Sequence, residues 1–137
     1  MVRSTKVPGS LLSGVSKLQL IMRAGAGVDN IDVAHCSKNC IFVTNCPGKN
    51  SHAVAELTMG LMLSLDRKIA ENVQLLHEGK WNKSAYASCK GVKGRTLGLL
   101  GFGAISQAVC ERAKSFDMNN LVWTRTKTPG LDKKMGF

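Results

Sequence analysis

Leu97-Gly98-Leu99-Leu100-Gly101-Phe102-Gly103-Ala104-Ile105-Ser106 is the stretch whose reading decides the fold. Leu97 to Leu100 is a short apolar run bounded by glycines, as a buried parallel strand requires. After it, Ile105, Ala108, Val109, Arg112, Ala113 and Phe116 recur at helical spacing and predict a helix with one core-facing stripe, a single arginine stem included. Leu121-Val122-Trp123 reads as the next strand. Between strand and helix stands G-x-G-x-x-S. The first glycine permits a tight turn, and the second removes a side chain where a pyrophosphate would approach the backbone. The helix start then offers free N–H groups and a positive dipole end to the phosphates. Ser106 occupies the third position, where the smallest residues pack helix against strand. The strand–turn–helix setting is what turns a short glycine pattern into a dinucleotide-binding expectation. A glycine-rich turn that holds no ligand is the plainer alternative.

The ribose end of such a site normally carries a carboxylate about 20 residues past the first glycine. Here that position reads Trp123-Thr124-Arg125, and no Asp or Glu occurs between Asp117 and Asp132. Arg125 is suited to stack on adenine or to meet a 2′-phosphate. The expected cofactor is therefore NAD, with NADP tolerated or preferred as the alternative. The plainer reading makes Arg125 a solvated strand-end residue.

Working outward, Leu18 to Met22 is a short apolar strand that runs into Gly25 and Gly27. Ile31 to Ser37 reads as a short helix, and Cys40 to Thr44 as a second strand ending in the loop Asn45-Cys46-Pro47-Gly48-Lys49-Asn50. Strand, helix and strand make a βαβ unit. Ser51 is the expected N-cap of a long helix from Ala53 to Ile69, apolar nearly all round and so expected to be covered on most sides. A second helical piece, Glu71 to Glu78, stops at Gly79, and Trp81 to Gly94 reads as linker.

The 137 residues carry a formal charge of +10, which favours anionic partners. The basic residues are dispersed, which argues against a nucleic-acid footprint. The apolar run from Ala53 to Leu65 contains Glu56 and is shorter than the roughly 20 residues a bilayer span needs, so no membrane role is expected. Five cysteines and no secretion signal at the start point to reduced thiols and a cytoplasmic protein. The sequon Asn82-Lys83-Ser84 is read as chance. His35, Cys36, Cys40 and Cys46 are too irregularly spaced for a zinc site, so no metal is expected.

Several ordered segments resemble the D-isomer-specific 2-hydroxyacid dehydrogenases, the phosphoglycerate-oxidising branch above all. They are Val2 to Val7, Arg23-Ala24-Gly25-Ala26-Gly27-Val28-Asp29-Asn30-Ile31-Asp32, Asn45 to Ser51, Ala53 to Leu57, Gly79-Lys80-Trp81 and Gly94 to Gly98. The resemblance implies an α/β protein with Rossmann-like parallel sheets. Residues 1–52 would be a partial substrate domain, 53–96 an inter-domain helix and linker, and 97–137 the first half of a dinucleotide-binding domain. It further implies hydride transfer between a nicotinamide dinucleotide and a small anionic D-2-hydroxy or 2-keto acid. D-3-phosphoglycerate, on the route to serine, comes first; glyoxylate or hydroxypyruvate is the alternative. Substrate would meet Arg3, Arg23, Gly25, Ala26, Gly27 and Asn50. Cofactor would meet Ala26, Gly101, Gly103, Ala104, Ile105, Thr124 and Arg125. The helix from Ala53 would contribute to a homodimer or larger assembly. The family's catalytic arginine, glutamate and histidine match no position here, so no catalytic residue is assigned, and the chain is expected to be an inactive fragment. His52 is the nearest local histidine to the substrate loop, and a helix-start surface role suits it better; His77 reads as a solvated helix end.

Overall fold

A computed structural model of the chain describes residues 1–125 and Gly130. The remaining positions of the expected nucleotide-binding half, 126–129 and 131–137, lie outside the described residues.

The chain divides into two compact units, Met1–Asn50 and Ser51–Phe137. In the first, α1 (Gly9–Leu12) precedes β1 (Leu20–Met22), α2 (Val33–Lys38) and β2 (Phe42–Thr44). The strands run parallel, with Leu20, Ile21 and Met22 opposite Phe42, Val43 and Thr44. Bridges Val2↔Arg23 and Val7↔Ile31 align the N-terminal segment with the same layer. The sequence reading leaves out the cap of α2: the Asp32 carboxylate accepts a hydrogen bond from the His35 N–H at 2.9 Å. The core of this unit is Val7, Leu12, Ile21, Ile31, Cys36 and Ile41.

The second unit begins with α3 (Ser51–Asp66), followed by α4 (Ile69–His77), a 3₁₀ turn (Lys83–Tyr86), β3 (Thr96–Leu100), α5 (Ala104–Ser115) and β4 (Asn119–Trp123). Ser51 is the first helical residue of α3 and is buried. Lys68 adopts a left-handed conformation, φ 48°, and separates α3 from α4. The expected linker holds the 3₁₀ turn, whose Ala85 N–H donates to the Asn82 side chain. β3 and β4 are parallel, and Thr96 through Leu100 face Asn119 through Trp123 in order. Two βαβ units thus account for both sheets.

α3 packs along α5, and the core joins Ala55 and Met59 to Ala108, Val109, Cys110 and Ala113, with Leu99, Val92 and Met118 beside them. Small residues at this contact let two helices lie close. The predicted stripe on α5 needs correction at both ends. Ile105 is 39% exposed and Phe116 40%, because Ile105 lies in the first turn of α5 and Phe116 is its C-cap. Cys110, left out of the stripe, is fully buried: an uncharged thiol behaves as a small hydrophobe.

The described residues cover α3 on one side only, and the expected contribution of this helix to a subunit interface is untested by a single chain. Ser51, Ala55 and Met59 are buried, whereas Leu57, Leu61 and Leu65 are 62%, 56% and 79% exposed. Residues two positions apart on a helix point about 200° apart, so α3 carries two opposite apolar stripes and only one has a neighbour among the described residues. β3 is likewise covered on one face. Leu99 is buried, while Leu100 is 88% exposed.

Candidate functional site

In the first unit, hydrogen bonds gather the substrate-type residues into one place. The Arg23 N–H donates to the Thr44 carbonyl at 2.7 Å, which ties the end of β1 to β2. Val2 N–H donates to Met22 O at 2.9 Å, and Ala24 N–H returns a bond to Val2 O at 2.8 Å. These two bonds lay the N-terminal segment beside the loop and bring Arg3 next to Arg23. From the other side, Cys46 N–H donates to Gly25 O at 2.9 Å, and the Asn45 amide donates to Ala26 O at 2.7 Å.

The result is a shallow pocket of about 520 Å³ lined by Arg3, Arg23, Gly25, Ala26, Cys46, Lys49 and Asn50 among others. Gly27 is not part of the lining. Lys49 and Cys46 are, although neither stands among the substrate residues singled out from the sequence; the signal for Lys49 is its charge within a loop already marked by Pro47-Gly48. Arg23 Nε is buried without a hydrogen-bond partner among the described residues. A buried, unpaired donor of a cationic group costs free energy until an anion or water meets it. The Gly25 N–H is taken up by Arg23 O at 2.9 Å. A side chain at Gly25 would collide with the Arg23 guanidinium, so this glycine is where the arginine lies over the loop. Three cations around a concave, glycine-containing loop can hold a small anion.

In the second unit, β3 ends at Leu100 and the chain turns at Gly101, φ +91°, a conformation that L side chains rarely adopt. Gly103 caps α5 with φ −77° and ψ −176° and offers no side chain to the helix end. The first-turn N–H groups at Ala104, Ile105 and Ser106 therefore have neither an intrahelical partner nor a side-chain cap. A Cβ built on Gly101 or Gly103 meets nothing within 4 Å. Open space above a helix N-terminus fits a pyrophosphate. Gly101 N–H donates to Trp123 O at 2.7 Å, so the end of β4 lies beside the turn. Thr124 is half-buried and already engaged within the protein, and Arg125 is exposed.

Histidines stand apart from this chemistry: none of His35, His52 and His77 lines the cationic pocket. Cys36 is buried while Cys40 and Cys46 are exposed, and among the described residues no group of three His, Cys, Asp or Glu is arranged to hold a metal ion. Among the described residues, no helix is long and apolar enough to cross a membrane.

The profile of the D-isomer-specific 2-hydroxyacid dehydrogenase catalytic domain matches residues 1–129, and the chain belongs to that family. Among its relatives, a hydroxypyruvate reductase from Thermotoga maritima is 45% identical over 93% of this chain and 42% of its own length. A D-3-phosphoglycerate dehydrogenase from Methanocaldococcus jannaschii is 46% identical over 87% of this chain and 23% of its own. The crystal structure of NAD⁺-bound 3-phosphoglycerate dehydrogenase from Entamoeba histolytica superposes with a TM-score of 0.74 at 34% identity, over 93% of this chain and 38% of that one. The chain thus spans less than half the length of these relatives.

Proposed function

We propose that this chain supplies the substrate-anion loop and the cofactor turn of an oxidoreductase that moves hydride between a nicotinamide dinucleotide and a small anionic D-2-hydroxy acid. When bound, the dinucleotide donates or accepts the hydride. The chain's own residues bind and orient: Arg3, Arg23 and the loop around Gly25 and Asn50 take the acid, while Gly101, Gly103 and the first turn of α5 take the pyrophosphate. Two arginines and Lys49 in one pocket favour a doubly anionic acid, which puts D-3-phosphoglycerate first. The missing ribose carboxylate favours the second reading, a reductase of glyoxylate or hydroxypyruvate. The 137 residues alone are proposed to be inactive, since no histidine lines the pocket to protonate a new alkoxide. The exposed stripe Leu57, Leu61 and Leu65 is the proposed subunit contact.

One observation carries the cofactor reading. Gly103 has an extended backbone that any residue adopts, and its Cβ position is empty. Its φ does not require glycine and no described atom would meet a Cβ there, so beyond the mild N-cap preference the contact a side chain would obstruct is that of an approaching pyrophosphate. Gly103→Ala is expected to cost about 0.5–1 kcal/mol, as alanine does at a helix N-cap, yet to weaken dinucleotide binding at least about tenfold. Gly101→Ala, at positive φ, is expected to cost stability by roughly 1 kcal/mol or more. Urea unfolding and equilibrium titration with NAD⁺ and NADP⁺ read both effects. Unchanged binding by the Gly103 variant would sink the proposal.

A further inference from the structure

We propose that Cys46 is a covalent-modification site for small carboxylate-bearing electrophiles, which the cations around it draw in and hold beside its thiol; the inference rests on the reading of that pocket as an anion site. The backbone sets the thiol's place. Cys46 follows β2, and its N–H donates to Gly25 O at 2.9 Å, so the residue is pinned against the loop that Arg23 overlies. It lines the pocket of about 520 Å³ and is exposed, so a reagent entering from solvent reaches it. Arg3, Arg23 and Lys49 share that lining, and no carboxylate does. None of the four ion pairs among the described residues takes up these three charges. Independently, the Arg23 Nε is buried with no hydrogen-bond partner among the described residues, which points to an anion as its complement. Uncompensated cations in a concave pocket raise the local concentration of a small anion. A carboxylate held there brings the carbon next to it into the same pocket as the thiol. Where that carbon bears a leaving group, the sulfur forms a bond to it, the leaving group departs with its bonding pair, and the thiol proton passes to water. No oxidant or reductant enters the step. The product keeps its carboxylate among the cations, so modification closes the pocket to the acid. Cys40 is the internal comparison: it is exposed in the same unit and lines no part of this pocket.

The test compares iodoacetate with iodoacetamide, two alkylating reagents that differ in charge, on the purified protein at one pH. Peptide mass spectrometry follows Cys46 and Cys40 separately. Dividing the iodoacetate-to-iodoacetamide rate ratio at Cys46 by that at Cys40 cancels the intrinsic difference between the reagents. The quotient is expected to reach at least about tenfold, the scale of several unit charges a few ångströms from an anion in a water-filled pocket. It should fall about threefold in Lys49→Gln, an exposed loop position, and approach unity in roughly 1 M salt, where the screening length is about 3 Å. Excess hydroxypyruvate is expected to slow iodoacetamide at Cys46 at least about fivefold by occupying the pocket, and to leave Cys40 unaffected. A quotient near unity with hydroxypyruvate still protecting Cys46 overturns the inference and leaves the anion pocket standing. A quotient near unity without protection overturns both. A high quotient that salt leaves unchanged also overturns the inference, since charge is then not its cause.

Discussion

Gly25 and Arg23 show how a single hydrogen atom in place of a side chain shapes a charged site. The guanidinium lies where a Cβ on Gly25 would stand, and its Nε is buried and unpaired. Arg23 is flexible at its far end, so Gly25→Ala is expected to displace the guanidinium rather than the backbone. Stability should change by less than about 1 kcal/mol, while affinity for a keto acid such as hydroxypyruvate should fall about tenfold, the loss of one charge-assisted contact. Calorimetric titration and thermal melting separate the two effects. An unchanged affinity would remove Arg23 from the anion site. The glycine turn between β3 and α5 was legible in the sequence because strand, turn and helix are adjacent in the chain; its part in binding a cofactor is the proposal above. The meeting of Arg3 with Arg23 is different. It depends on the bridge Val2↔Arg23 between distant positions, and no spacing or periodicity encodes that. The family resemblance reached both residues, but it took the bridge to put them in one pocket.

At the scale of elements, α3 repeats the same lesson in apolar chemistry. Periodicity correctly gave a long apolar helix, and it could not say which of two opposite stripes this chain covers. The buried stripe meets α5, and the exposed stripe has no neighbour among the described residues. Met59→Ala is expected to cost about 2–5 kcal/mol, the range for emptying a packed methionine site. Leu61→Glu, on the open side, is expected to cost less than about 1 kcal/mol in the monomer while abolishing self-association. Chemical denaturation and sedimentation velocity measure the two, and an unchanged sedimentation profile in Leu61→Glu would remove this stripe as the subunit contact. The surface pair Arg112–Glu56, at 3.0 Å with Glu56 67% exposed, belongs to the weaker class of contacts between the same helices. On α5 the omission of Cys110 from the predicted core has a physical cause. A helix wedged against both a sheet and another helix buries a wider arc than one stripe.

Across the whole molecule the expected α/β character and the two βαβ units were legible because each unit's strands and helix follow one another directly. The division at Asn50 and Ser51 was less so, since the loop and the helix start both carry polar residues and composition does not change sharply there. Stability of the whole chain should depend on pH through its two buried thiols. Burial, then the neighbouring Asp32 charge, pushes Cys36 up from the ordinary value of 9.0; burial pushes Cys110 up, with Lys114 opposing and Glu111 adding slightly. A thiol held protonated in the fold but free to ionise when unfolded stabilises fully below its unfolded value. That contribution is lost as pH rises past the unfolded value toward the folded one. Stability should therefore fall above about pH 9, by up to about 1.4 kcal/mol per pH unit for each thiol, and Cys110→Ala should flatten the decline. Urea midpoints from pH 7 to 10 test this, and a slope unchanged by the substitution contradicts it.

Cys36 and Cys110 are the two fully buried side chains of this size, one in each unit, while Cys40 and Cys46 are open to solvent. The molecule consequently carries its own pair of clocks. An alkylating reagent marks the open thiols first, the half-buried Cys89 after them, and reaches each sealed one only when its own unit breathes, so the two slowest labelling rates report two opening equilibria without any engineered probe.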